Sequence, residues 1–159
     1  MALPGYLAIN NVKGATARQQ PAGVDISVCE VYKIKTQGFM GVENRELPDV
    51  ERLEDKEGLW ILSSGVYKVR YCEVVEVPLD TVALCFPRSS LLRMGVDLRC
   101  TVWDPGYKGR GEGLLIVHNP YGVRLEKMAG VAQLVFIKLL GKPGQGYSGV
   151  YQGEGLTEG

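Results

Sequence analysis

The sequence has no excess of charge of either sign. Its 159 residues contain 18 Lys and Arg against 18 Asp and Glu, so the formal net charge is zero with histidine neutral. Proteins that bind nucleic acid through its phosphates usually present a strongly basic surface, and no such global field exists here. We therefore expect no nucleic-acid partner.

Long apolar runs are also missing from the sequence. No 18 consecutive residues are apolar, so we expect no membrane span and no membrane partner. The N-terminus has neither the charged segment nor the long apolar segment of a secretory signal. These absences favour a cytoplasmic protein, and the length suits one domain with a genuine core.

Residues that build zinc sites are scarce. The chain has one histidine, four cysteines and no CxxC motif, so a zinc site is not expected. The cysteines are Cys29, Cys72, Cys85 and Cys100, which lie far apart and mostly within strand-like runs. We expect them to be buried free thiols, as is usual in a cytosolic protein.

Helical periodicity is weak throughout, and short strand-like runs recur between turn signals. This pattern favours an all-β sandwich or barrel over alternating strands and helices. Runs 59–62 and 66–71 flank Ser-Ser-Gly, which predicts a hairpin between them. The charged segment 43–57 predicts a solvated excursion, in which apolar residues could form one helical turn. The most apolar run, 131–140, predicts a central strand.

The stretch 88–107 holds the densest set of candidate functional residues. Arg88 precedes two hydroxyls, Ser89 and Ser90, and this combination can bind phosphate, although a surface turn with a helix cap is the alternative. Residues 96–103 alternate as in a half-buried strand. Asp104 then stands before Pro-Gly, where it could hold a nucleophilic water or serve as an ordinary turn residue.

Three further side chains have a functional and a structural interpretation. Asp25 opens a predicted strand and could pair with a basic residue or contact a metal ion. Tyr107, just past the turn, could stack on a sugar or lie in the core. His118 has no visible partner, and no serine sits in a nucleophile setting, so Ser-His-Asp catalysis is not supported.

The C-terminal segment 141–159 contains seven glycines and little that could be buried. It lacks the ending of a phosphate-binding P-loop. By itself it should be mobile, either as a flap that closes over a ligand and excludes water or as simple disorder. Composition leaves both alternatives open.

Five motifs in this order resemble those of the dUTPase and dCTP deaminase superfamily. They are AGVDI at 22–26, PRSSLLR at 87–93, WDPGYKG at 103–109, GVAQLVF at 130–136 and GYSGVYQGEG at 146–155. The second and the last resemble the deaminase branch more than ordinary dUTPases. The chain is thus most similar to archaeal-type, deaminase-related dUTPases.

The resemblance implies a fold and an assembly. The fold is a distorted all-β jelly-roll, β-clip-like, with a single β domain at 1–140 and a flexible tail at 141–159 that closes over the nucleotide. The assembly is a homotrimer with three active sites at subunit interfaces. The ligand is a deoxynucleoside triphosphate bound with Mg²⁺.

The resemblance also implies roles for individual residues. Asp104 would hold the nucleophilic water, Tyr107 would pack on the deoxyribose, and Asp25 would support Arg88 or the water shell of the metal. The remaining substrate-binding positions are Arg88, Ser89, Ser90, Arg93 and Gln133 around the phosphates, and Tyr151 and Gln152 in the closing tail.

One position separates hydrolysis from deamination within this superfamily. Deaminases place a catalytic Glu about ten residues after the Asp, and here that position falls on Leu114 or Leu115. Leucine cannot transfer a proton, so we expect hydrolysis of dUTP to dUMP and pyrophosphate. Glu112 is the nearest acid, and it keeps deamination of dCTP open as an alternative. A second alternative is a trimeric nucleotide-binding regulator without catalysis.

Overall fold

The computed structural model of the protein describes residues 1–141 and 143–156. Position 142 and positions 157–159 of the predicted tail therefore lie outside the described residues. Regular structure in the described part is almost entirely β. The strands are β1 (Val12–Lys13), β2 (Arg18–Gln20), β3 (Gly23–Ile34), β4 (Phe39–Met40), β5 (Arg45–Glu46), β6 (Val50–Arg52), β7 (Leu59–Leu62), β8 (Gly65–Tyr71), β9 (Val74–Glu76), β10 (Thr81–Pro87), β11 (Val96–Arg99), β12 (Lys108–Gly109), β13 (Glu112–Val117), β14 (Val123–Glu126) and β15 (Gly130–Lys138).

The helices of the described part are short. They are α1 (Gly5–Ala8) and α2 (Ser89–Arg93), with a 3₁₀ turn at Ile9–Asn11 between α1 and β1. Among the described residues, no helix is both long enough and apolar enough to cross a membrane.

Strand β3 organises the main sheet, whose strands run in the order β10-β15-β3-β8-β13-β11 and pair antiparallel. Its first half pairs with β15 and β2, and its second half pairs with β8 and β6. A second, three-stranded sheet has the order β1-β9-β12. A bridge from Ala83 to Trp103 joins β10 to the segment that follows β11.

The core lies where alternating strands turn their apolar positions toward one another. In β13, for example, Leu115 and Val117 are buried while Leu114 and Ile116 are only half-buried. Burial of such side chains stabilises the fold by roughly 25 cal/mol for each Å² of apolar surface removed from water. The largest side chain among the fully buried ones is Tyr71 at the end of β8.

The all-β fold predicted from the sequence is confirmed, and two local predictions are wrong. Run 131–140 corresponds to β15, which lies inside the main sheet, as predicted. The predicted hairpin does not form, because β7 pairs with β14 whereas β8 pairs with β3 and β13. The predicted helical turn in 43–57 is replaced by the short strands β5 and β6.

The prediction of four free thiols is correct for two cysteines and wrong for the other two. Cys85 and Cys100 are free, but Cys29 and Cys72 form a disulfide that spans 43 residues of sequence. The bond exists because β3 and β8 pair, with a register shift between Val28 and Glu30 that places Cys29 beside the end of β8. Such a contact depends on long-range pairing and leaves no local sequence signal.

Candidate functional site

A tight turn positions the candidate catalytic carboxylate. The Tyr107 N–H donates to the Asp104 carbonyl oxygen at 3.1 Å, and Gly106 between them has φ +84°. Pro at the second position and a glycine with positive φ at the third are typical of a type II turn. The Gly106 N–H also donates to the Val77 carbonyl at 2.8 Å, which ties the turn to the neighbouring sheet. The predicted turn is thus present, and the side chain of Asp104 is exposed at its edge.

This turn forms one side of a pocket with a volume of about 330 Å³. Asp104 and Tyr107 line it from the turn, and Trp103 lines it from the preceding bridge. Tyr151 and Glu154 line it from the tail. The pocket therefore unites the predicted water-holding residue, the predicted sugar-stacking residue and one of the two predicted tail residues.

Glu112 is a third acid on the wall of the pocket, besides Asp104 and Glu154, and it lies at the start of β13. Its Oε1 atom accepts hydrogen bonds from Lys68 Nζ at 2.8 Å and from Arg70 Nη2 at 3.0 Å. Two cations on β8 therefore hold this carboxylate in place. Leu114 lies two residues further along the same face, whereas Leu115 points into the core and is 1% exposed.

Aromatic rings form the floor of the pocket. The ring of Tyr107 meets Trp103 edge-on with centroids 5.3 Å apart, and it meets Tyr147 at 5.8 Å. A Cβ atom at position 109 would lie 2.6 Å from the Tyr107 hydroxyl oxygen, so only glycine fits there. Tyr107 therefore packs against Trp103 and Tyr147, and its hydroxyl occupies the space that a side chain at position 109 would need.

The described part of the tail lies against the 105–110 segment. The Tyr147 N–H donates to the Pro105 carbonyl at 2.7 Å, and the side-chain amide of Gln152 donates to the Gly106 carbonyl at 2.9 Å. Gln152 Oε1 also accepts from the Lys108 N–H at 2.9 Å. The side chain of Gln152 thus forms hydrogen bonds with the backbone of segment 105–110. Unlike Tyr151, it does not line the pocket.

Burial is the main cause of the pKa shifts of the two ionisable groups where the tail meets the turn, Tyr107 and Glu154. Burial raises the pKa of Tyr107 well above its ordinary value, and the hydrogen bond that its hydroxyl donates to Glu154 raises it further. Burial also raises the pKa of the Glu154 carboxyl, although Tyr107 acts in the opposite sense. Tyr107 is therefore a permanent hydrogen-bond donor at neutral pH.

The predicted phosphate-binding residues form a second group. Arg88 Nε lies 3.1 Å from Asp25 Oδ2, and the same oxygen accepts a hydrogen bond from Gln20 Nε2 at 2.7 Å. Asp25 is buried at 3% exposure in β3. The exposed hydroxyls of Ser89 and Ser90 follow at the start of α2. The pairing of Asp25 with Arg88 is one of the two roles predicted for Asp25.

Gln133 and Arg93 complete the second group. Gln133 lies on β15 directly opposite Asp25 of β3 and opposite Phe86 of β10. Arg93, at the end of α2, donates from Nη1 to the Ser89 carbonyl at 3.1 Å. Within the described chain, no residue of this second group lines the pocket that holds Asp104. The structure of one chain therefore brings the predicted site residues together as two separate half-sites.

Two tail residues that line the pocket were not predicted from the sequence as site residues. Tyr147 packs on Tyr107, and Glu154 accepts a hydrogen bond from the Tyr107 hydroxyl at 2.8 Å. Only Glu154 has a local signal, since it stands between two glycines, Gly153 and Gly155, that both have positive φ. Such flanking glycines indicate a backbone shaped to present the residue between them.

Archaeal proteins are similar to this chain over most of its length. A probable deoxyuridine 5'-triphosphate nucleotidohydrolase of Aeropyrum pernix is 50% identical over 137 residues, which cover 86% of each protein. A probable nucleotidohydrolase of the same description from Methanosarcina mazei is 40% identical, over 92% of this chain and 87% of the relative. The deoxyuridine 5'-triphosphate nucleotidohydrolase of Methanocaldococcus jannaschii is 37% identical over 84% of this chain and 86% of its own length.

Two solved structures share the fold. The 2'-deoxycytidine 5'-triphosphate deaminase of Agrobacterium tumefaciens superposes with a TM-score of 0.65 at 20% identity and covers 85% of this chain. This chain spans about half of that deaminase, at 47% of its length. The EIAV dUTPase superposes with a TM-score of 0.55 at 15% identity, covering 86% of this chain and 94% of its own.

The family model described as dCTP deaminase-like matches residues 5–139. This match contains four of the five sequence motifs. It also contains the residues of both half-sites, except those that the tail contributes. The resemblance inferred from the motifs is therefore confirmed, and the distorted β fold agrees with both solved structures. The chain belongs to the dCTP deaminase-like family.

Proposed function

We propose that the protein is a dUTP diphosphatase, which hydrolyses dUTP to dUMP and pyrophosphate. The observation that carries the proposal is the pocket in which Asp104, Tyr107 and Tyr151 meet. The names of the archaeal relatives support it, because those proteins match 84–86% of the chain at 37–50% identity.

Asp104 would act as the general base of the reaction. Its carboxylate is exposed at the pocket edge and is fixed by a turn whose backbone is bonded to the next sheet. A water held there loses a proton to Asp104 as its oxygen attacks the α-phosphorus in line. The bond between the α-phosphorus and the bridging oxygen breaks, and pyrophosphate leaves. Tyr107, on the wall of the same pocket, would pack against the deoxyribose.

The phosphates would be held by the second half-site, from another copy of the chain. Arg88 carries the guanidinium suited to phosphate oxygens, and buried Asp25 fixes its direction through the ion pair at 3.1 Å. Ser89, Ser90 and Gln133 supply neutral donors beside it. Because the half-sites are separate within one chain, we propose that a homotrimer assembles three complete sites at its interfaces.

The metal in this proposal arrives with the substrate. The described residues contain no group of three or more His, Cys, Asp or Glu side chains placed to hold an ion. Mg²⁺ is typically bound by substrate phosphates with few protein carboxylates, so dUTP would bind as its Mg²⁺ complex, which neutralises part of the triphosphate charge. Asp25 would contact the ion only through water.

Two observations bear on the choice between hydrolysis and deamination. The position of the deaminase acid falls on Leu114 or Leu115, and leucine cannot carry a proton. Glu112 lines the pocket, however, and this observation supports deamination of dCTP as a second candidate function. Its carboxylate is bound by Lys68 and Arg70, which favours a structural role.

A product assay separates the candidates. The protein is incubated with Mg²⁺ and either dUTP or dCTP, and pyrophosphate and ammonia are measured. We expect pyrophosphate from dUTP and no ammonia from dCTP. Ammonia from dCTP would establish deamination and would make Glu112 the first residue to substitute. Tight nucleotide binding without either product would instead indicate a regulator.

A further inference from the structure

Glu154 contacts the pocket wall and has no part in the reaction described above. Its Oε1 atom accepts a hydrogen bond from the Tyr107 hydroxyl at 2.8 Å, across 47 residues of sequence. Both side chains line the pocket that holds Asp104. The contact therefore joins the tail to the ring on which the sugar would pack.

The tail backbone is bonded to the core on both sides of Glu154. The Gly153 N–H donates to the Lys108 carbonyl at 2.9 Å, and the Arg110 N–H donates to the Glu154 carbonyl at 2.9 Å. Gly153 and Gly155 have φ of +80° and +67°, a conformation that residues with a Cβ rarely adopt. These constraints aim the Glu154 side chain at Tyr107.

The ring of Tyr107 is also held by its neighbours. Trp103 and Tyr147 pack on it edge-on, and the absence of a side chain at Gly109 leaves room for its hydroxyl. The hydroxyl at the far end of the ring is held by its hydrogen bond to Glu154. An aromatic wall can discriminate between two sugars only if it cannot shift to admit the larger one.

We propose that Glu154 is a positioning residue for Tyr107, which links docking of the tail to rejection of a ribose 2'-hydroxyl in the pocket. The inference rests on the proposed function, since it takes the ligand to be a deoxynucleoside triphosphate. Docking of the tail places the carboxylate on the Tyr107 hydroxyl and makes the wall rigid. When the tail is displaced, the ring loses this contact and a ribose is rejected less well.

The test compares four proteins: wild type, Glu154→Leu, Tyr107→Phe and the double variant. For each, dissociation constants are measured for dUTP and UTP analogues with a non-hydrolysable α,β-imido bridge, and kcat and KM are measured for dUTP and UTP. We expect Glu154→Leu and Tyr107→Phe each to reduce the preference for deoxyribose about tenfold. In the Tyr107→Phe background, Glu154→Leu should change the preference for deoxyribose less than twofold, because the hydrogen bond between the two side chains is already absent.

Two controls distinguish positioning from general damage. Glu154→Gln retains an oxygen that accepts from Tyr107, so its sugar preference should stay within about twofold of wild type. Glu126→Leu makes the same loss of charge on β14, away from the pocket, and should have no effect. Thermal unfolding of each variant checks that the fold is retained.

The outcomes are distinct. An unchanged preference in Glu154→Leu, a full effect that persists in the Tyr107→Phe background, or failure of Glu154→Gln to restore the preference would each overturn the proposal. Absence of dUTP turnover in the wild type would contradict the proposed function alone, because the imido analogues still measure sugar preference by binding.

Discussion

At the scale of single residues, the environments of the carboxylates separate those that can act on a ligand from those that hold the fold. Asp104 is exposed at the edge of the pocket, whereas Glu73 is fully buried and accepts hydrogen bonds from Ser27 and Thr16. A buried acid with satisfied oxygens contributes to stability and is not available to activate a water. This difference in environment is why Asp104 is the candidate base.

Substitution of Asp104 by Asn should separate chemistry from binding. The amide is nearly isosteric and cannot accept a proton, so turnover of dUTP should disappear while affinity for the α,β-imido analogue stays within roughly tenfold, about 1.4 kcal/mol. Steady-state kinetics and calorimetric titration measure the two quantities. Asp49→Asn, an exposed change outside the pocket, is the control. A near wild-type rate in Asp104→Asn would mean that another group is the base.

Glu30 provides a pH-dependent contribution to stability. Burial alone would raise the pKa of Glu30, but the hydrogen bond from Tyr32 and the charges of Arg70 and Arg52 outweigh it and lower the pKa below its ordinary value of 4.5. The ionised form is therefore favoured in the fold. Its contribution is present above pH 4.5 and is lost as the pH falls below that value toward the folded-state pKa.

The Glu30→Gln variant tests this contribution. At pH 7 it should lower the free energy of unfolding by about 2 kcal/mol, because hydrogen bonds to a charged group are lost. Below pH 4.5 its stability should fall less steeply than that of wild type. Urea unfolding at a series of pH values measures both effects, with Glu46→Gln, exposed on β5, as the control. Parallel pH curves for wild type and Glu30→Gln would contradict the assignment.

At the scale of elements, the pairing of β3 with β8 is the central contact of the sheet. The Cys29–Cys72 disulfide fixes this pair covalently at the end opposite β6. A cross-link over 43 residues removes conformational freedom from the unfolded chain, and such bonds typically contribute about 2–4 kcal/mol. The bond is thus expected to raise stability without any effect on the pocket.

Reduction of the disulfide should lower the melting temperature and leave kcat unchanged. The Cys29→Ser, Cys72→Ser double variant should melt like reduced wild type, and a reductant should then have no further effect on it. Cys85→Ala keeps the bond and should still respond to reductant. Thermal unfolding with and without a thiol reductant measures this, and peptide mass spectrometry verifies the bond. A wild type insensitive to reductant would refute the prediction.

At the scale of the whole molecule, the predicted site residues of one chain fall into two separate groups, the proposed half-sites. One contains Asp104 and Tyr107 with the docked tail, and the other contains Arg88 with Asp25. If a complete site draws one half from each of two subunits, damage to the two halves can be complemented. This expectation distinguishes an interfacial site from one that closes within a chain.

Mixing of two inactive variants tests the division. Arg88→Ala and Asp104→Asn should each be inactive, whereas trimers reassembled from an equal mixture should recover about one quarter of the wild-type activity, since that fraction of interfaces combines two intact halves. Sedimentation measures the assembly state, and a mixture of Arg88→Ala with itself is the control. Lack of any recovery after verified reassembly would place both halves in one chain.

The sequence by itself determined the elements whose signals are local. Alternation predicted β3 and β11, the most apolar run predicted β15, and Pro105-Gly106 predicted the turn that carries Asp104, because side-chain pattern and φ preference act within a few residues. The order of the five motifs was sufficient to predict the family. Only the tertiary structure decided which strands pair, that Cys29 meets Cys72, and that Glu154 reaches Tyr107. The disulfide and the Tyr107–Glu154 hydrogen bond join residues 43 and 47 positions apart, and the free energy of such contacts and of strand pairing depends on the packing of the whole sheet rather than on any local pattern.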